Sequence, residues 1–144
     1  MTTQNIKQKG FTIVELLIVI VVIAILAAIS IVAFTGIQQR GRDSSRQADI
    51  SNISKALVAY TTDGNPWPIT GAAAVTALDG YTTANLGTTV TAKIGTTPSA
   101  SANTTYGFAV CPSGATAGNG TGAQLSWWKE QTGALVTVNV GAGC

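Results

Sequence analysis

From Leu16 to Phe34 the chain runs nineteen residues with Ser30 as its one polar side chain and no charge. A helix from Phe11 to Phe34 would be about 35 Å long, enough to cross a hydrocarbon layer of about 30 Å. Beyond it the pattern changes to apolar positions three and four apart, at Ile50, Ile53, Leu57 and Tyr60. That spacing predicts an amphipathic helix whose apolar stripe another element must cover. Gly36 and Gly41 each cost a helix about 1 kcal/mol relative to Ala, while Asp63-Gly64-Asn65-Pro66 stops it. The reading is one long helix from about Thr12 to about Thr62, first apolar all round and then amphipathic.

The period shortens to two after Asn65. Thr88–Ile94, Thr104–Val110, Gln124–Glu130 and Ala134–Val140 each alternate, and Gln131-Thr132-Gly133 between the last two is a hairpin signal. Ala72–Leu78 reads as a short connecting helix. The expected fold class is α+β, a long N-terminal helix packed on a small antiparallel sheet of three or four strands.

Charge is sparse and unevenly placed. Six of the fourteen charged residues lie between Arg40 and Lys55, and the net charge is +2. That balance does not describe a nucleic-acid binder, and DNA contact by Arg40, Arg42 and Arg46 is diluted by Asp43 and Asp49. These residues read as a solvated helix face. Histidine is absent, so neither a metal site nor a Cys nucleophile with a His partner can be assembled from Cys111 and Cys144. No enzyme, cofactor or metal is expected. Trp67, Trp127 and Trp128 read as packing residues more than as an adhesive surface.

Glu15 is the anomaly, because a carboxylate at mid-membrane costs about 2.5–3.5 kcal/mol and somewhat less near an end. A cleaved secretory signal explains it poorly, since such signals have shorter apolar stretches and a small-residue cut site. A plain anchor gives Glu15 no purpose, and Lys7 and Lys9 before the segment against Arg40, Arg42 and Arg46 after it leave orientation open.

"KGFTIVELLIVIVVIAIL", Lys9–Leu26, resembles the class III signal of type IV prepilins and pseudopilins. The resemblance implies a leader, residues 1–10, cut between Gly10 and Phe11 by a membrane prepilin peptidase that then methylates the amine of Phe11. Residues 11–35 would form the transmembrane and later filament-core helix, 36–63 its amphipathic half, and 64–144 the head. A buried cationic amine needs a compensating charge. Glu15 would supply it to a neighbouring copy and so set the axial register of assembly, a specificity device more than a source of stability.

The mature chain would hold 134 residues (144 minus 10) and, without Lys7 and Lys9, six basic against six acidic side chains. The family's helix-breaking Gly and Pro are absent at Ala24 and Val32, leaving Ser30 and Gly36 as the candidate places for the helix to loosen on assembly. In an exported chain Cys111 and Cys144 are expected to form a disulfide. Closing that loop of about 34 residues would contribute about 3–4 kcal/mol.

The implied role is a structural pilus subunit, the major pilin, serving motility, adhesion or DNA uptake. Its implied partners are further copies in a helical filament, the peptidase, and an inner-membrane assembly platform with its ATPase. The implied location is the inner membrane before assembly, with a cytoplasmic N-terminus and the head outside, and the cell surface afterwards. A pseudopilin of a secretion or competence system and a minor pilin or adhesin are the alternatives; the absence of Asp and Glu from Val136–Cys144 speaks against the calcium site of major pseudopilins. Asn52, Asn103 and Asn119 begin N-x-S/T triplets, and 96–105 reads as an exposed, Ser/Thr-rich loop open to glycosylation.

Overall fold

The computed structural model describes residues 10–81, 86, 88–95, 97–116 and 118–144. The expected leader, with Lys7 and Lys9, lies outside the described residues except for Gly10. One α-helix, α1, runs Ile13–Thr62; α2 is Gly71–Asp79 and α3 is Thr88–Thr91. Three strands follow, β1 (Gly107–Cys111), β2 (Gly122–Lys129) and β3 (Ala134–Gly141), in one antiparallel sheet of order β1-β2-β3. The chain divides into two compact units, residues 1–37 and 38–144.

In the first unit every described residue is exposed within the chain. Phe11, Ile20 and Phe34 are 89%, 57% and 61% exposed. Among the described residues of this unit none buries another's side chain. Leu, Ile, Val and Ala hydrogen-bond their own backbone throughout, and Ser30 turns its hydroxyl back to the Leu26 carbonyl at 2.8 Å, so no polar group is stranded. By length and composition it can cross a membrane.

The second unit closes around a core. Ile50, Ile53, Ala56 and Leu57 of α1 are buried with Ala74 and Leu78 of α2 and with Ala123, Leu125, Trp127 and Val140 of the sheet. The register pairs Phe108 with Leu125 and Leu125 with Val138, and likewise Trp127 with Val136. The alternating apolar residues of all three strands therefore share one face, as a period of two requires. Trp127 is core and Trp67 packs against it, whereas Trp128 is half-buried. Tyr60, the last of the expected stripe, is half-buried and meets Tyr81 edge-on, with ring centroids 5.5 Å apart.

The turns use the residues expected of them. Gly64 and Gly133 take φ of +87° and +60°, which a side chain would oppose, and they end α1 and build the β2–β3 hairpin. Asn65 Nδ2 donates to the Tyr60 carbonyl at 2.9 Å, satisfying one of the last helical acceptors. Thr70 caps α2 by accepting from the Ala73 N–H at 3.1 Å.

The sequence-based expectation is corrected at two places. Thr88–Ile94 is not a strand: Thr88–Thr91 is a helical turn, and Ile94 joins Tyr106 only through an isolated parallel bridge. The Ile94 N–H bonds the Thr91 carbonyl at 2.9 Å, and the Thr91 hydroxyl bonds Asp79. Local turn bonds thus took the groups that a ladder would have used, and alternation over seven residues could not distinguish the two. The Arg40–Arg46 stretch is likewise not simply a solvated face, because Asp43 and Arg46 are 5% and 6% exposed.

Candidate assembly site

Gly10, Phe11 and Thr12 lie outside the helix and α1 starts at Ile13. The reason for that start is local. The Thr12 hydroxyl accepts from the Glu15 N–H at 3.2 Å, while Thr12 donates both its N–H and its hydroxyl to Glu15 Oε2, each at 2.8 Å. This is a capping box: a Thr and a Glu three residues on satisfy each other's orphan donors. The carboxylate also sits at the positive end of the helix dipole. Glu15 therefore has a partner within its own chain, a role the reading from sequence did not assign. The pattern Thr12-Ile13-Val14-Glu15 carried the signal for it.

The head places a second set of charges. Asp43 Oδ1 accepts from Arg46 Nη1 at 3.0 Å and from the Glu130 N–H at 2.9 Å, and its Oδ2 accepts from the Gln131 N–H at 3.0 Å. Arg46 Nη2 donates to Glu130 Oε1. Arg42 grips the same carboxylate through Nε at 3.0 Å and Nη2 at 2.6 Å, and Asn103 Nδ2 adds a bond at 3.2 Å. Charge-assisted bonds of this forked kind are about twice as strong as neutral ones. They hold the Glu130 carboxyl down to about 2, chiefly through Arg42 and then Arg46, and they raise the Arg42 guanidinium in turn. The clamp ties α1 to the turn between β2 and β3.

Further along α1, Asp49 accepts from the Tyr106 hydroxyl and from Lys93 Nζ at 3.5 Å, and Lys93 lies 5.8 Å from the centroid of the Tyr106 ring. Burial, then Asp49, pushes the Tyr106 phenol above its ordinary value. Cys111 and Cys144 form a disulfide with Cα atoms 5.1 Å apart, joining the end of β1 to the chain beyond β3. Among the described residues no group of three or more Cys, Asp or Glu could hold a metal ion.

The pattern described as the prokaryotic N-terminal methylation motif matches residues 5–31. The type IV wide pilus major component PilA4 of Thermus thermophilus is 36% identical over 80 residues, 56% of this chain and 61% of that protein. Fimbrial protein EcpC of Eikenella corrodens is 40% identical over 67 residues, 46% of this chain and 44% of that one. The type II secretion system core protein G of Escherichia coli is 33% identical over 64 residues, 44% of each chain. The matches thus span roughly half the length of these relatives. No solved structure matches the chain.

A capped apolar helix and a small α+β head in one chain make a pilin-like arrangement. The chain carries the methylation motif over residues 5–31 and is similar to pilin, fimbrial and type II secretion core proteins over roughly half their length.

Proposed function

We propose that the chain is the precursor of a type IV pilus subunit, cut after Gly10, N-methylated on Phe11 and assembled into a helical surface filament. One observation carries the reading. An apolar helix with no cover from its own chain is joined to a head with its own closed core. Such a helix is stable only in lipid or among copies of itself, and a processing motif at its start fits passage from the first setting to the second. A prepilin peptidase would do the cutting, and an assembly platform with its ATPase would supply the work of extraction.

Glu15 serves both stages. Before assembly its carboxylate is bonded by Thr12. In the filament the amine released on Phe11 of a neighbouring copy offers it a stronger, charged partner. The near-neutral mature chain suits close lateral packing and favours the major subunit. The similarity to type II secretion core proteins supports a second reading, a pseudopilin that stays at the membrane.

Mass spectrometry on filaments sheared from producing cells tests both. A dominant protein starting at N-methyl-Phe11 is expected. The same processed chain found only in membranes selects the pseudopilin, and a chain still starting at Met1 overturns the prepilin reading.

A further inference from the structure

In residues 38–144 the ion pairs join Arg42 and Arg46 to Glu130, Arg46 to Asp43, and Lys93 to Asp49. Three cations, Arg40, Lys55 and Lys129, stay outside any ion pair among the described residues. All three line one groove between α1 and the β3 side of the sheet. Arg40 and Lys129 stand in one section of about 310 Å³ and Lys55 in the next, also about 310 Å³, and both sections share Gln47, Trp127 and Val136. The floor is apolar, because Val136 and Val138 point to the core face of the sheet but sit on its outermost strand. Val138 is left 37% exposed.

The acids without a cation lie elsewhere. Asp63 and Asp79 are exposed and are bonded to hydroxyls, Asp63 to Tyr81 and Asp79 to Thr91. Tyr81, two residues after Asp79, reaches back to Asp63, which brings the Asp79 end of α2 toward the C-terminal end of α1. Arg40 lies 23 residues before Asp63 on the same helix line, about 34 Å away along its axis. The head therefore holds Arg40 and Lys129, both outside any ion pair among the described residues, toward one end of the α1 axis and Asp63 without a cation at the other, with Lys55 between them, about 12 Å before Asp63.

We propose that successive copies stack their heads end to end, Asp63 and Asp79 of one seated on the Arg40–Lys129 end of the groove of the next. This rests on the filament reading above and names the surface through which the heads meet. The two patches are distinct surfaces of one chain, so the contact is heterologous. It propagates into an open helical array and does not close into a dimer. Opposed charge at the rim steers and registers such a contact, and the apolar floor around Val138 supplies area to bury.

The test uses the full chain in producing cells. Arg40→Glu with Lys129→Glu, and separately Asp63→Lys with Asp79→Lys, should each cut the yield of sheared filament at least tenfold. Processed, disulfide-bonded chain in membranes should stay at the wild-type level. All four changes together should restore filament to within about threefold of wild type, since the charges are then merely exchanged. Carbodiimide treatment of wild-type filaments should join Lys129 to Asp63, alone or with Asp79, and the Lys129–Asp63 link is too long to form within one head.

Double variants that assemble normally, a quadruple variant no better than the doubles, or Lys129 linked instead to another region or another protein would each overturn the inference while leaving the filament reading intact. Wild-type chain absent from filaments would overturn the filament reading itself, and the stacking with it.

Discussion

Residues 10–37 and 38–144 deal with charge and apolar surface in opposite ways. The first unit exposes every side chain and holds one carboxylate, satisfied within a single helical turn by Thr12. The second buries its apolar stripe and satisfies Asp43, Arg46 and Glu130 by joining residues more than eighty positions apart. Its core is closed within one chain, whereas the described residues of the first unit leave every side chain open. Substitutions in the buried core and clamp of the second unit should accordingly be read as stability, and those in the first as insertion and assembly.

The largest expected break of that contrast is Asp43→Ala. It strips a partner from buried Arg46 and leaves the Glu130 and Gln131 N–H groups unbonded. Removing one member of a buried charged network costs about 3–5 kcal/mol, measurable by denaturant unfolding of the full chain in detergent. Cys111→Ser with Cys144→Ser should cost about 3–4 kcal/mol for a sequence separation of 33 residues, with the loss seen equally on reduction of the wild type. A smaller change, Ile53→Val at a fully buried position, should cost about 0.5–1.5 kcal/mol in the same assay.

Acid should loosen the clamp later than an ordinary carboxylate would. The folded pKa of Glu130 lies at about 2, below its unfolded value, so its contribution is complete above about 4.5 and fades as pH falls toward 2. An unfolding midpoint followed by fluorescence of the buried Trp127 should therefore drop across that window, and Glu130→Gln should flatten the drop. Tyr106 runs the other way, since its raised pKa keeps its contribution present until pH rises past the ordinary tyrosine value of about 10. The smallest effect sharpens the comparison from the other side. Ile20→Ala, in the exposed helix, should move the head's unfolding by less than about 0.5 kcal/mol. A loss as large as that of a core substitution would show that the two units are energetically coupled.

Much of this was legible along the chain because its causes are local. Nineteen residues without a charge can only be a long apolar helix, and the 3–4 spacing of Ile50, Ile53 and Leu57 marks the face that becomes buried. Gly133 and Asp63-Gly64 mark turns because so few residues accept their geometry. The capping box is equally local, since Thr12-Ile13-Val14-Glu15 carries both of its partners within four residues. Thr88–Thr91 failed for the opposite reason, since a short alternating run satisfies helix and strand alike until its neighbours choose.

The charges between Arg40 and Arg46 belong to tertiary structure alone. In sequence they are a polar helix face. Only when the β2–β3 turn brings Glu130 and two backbone N–H groups against them do Asp43 and Arg46 leave water. That Arg40, Lys55 and Lys129 line one groove while Asp63 and Asp79 bond hydroxyls is likewise invisible in a chain of net charge +2. Sequence by itself determined the helix, its stops, the processing motif and the alternation of the strands, all set by neighbours a few residues away. The fold decided which charges are paired and which are left for another molecule, because that depends on distances no spacing along the chain records.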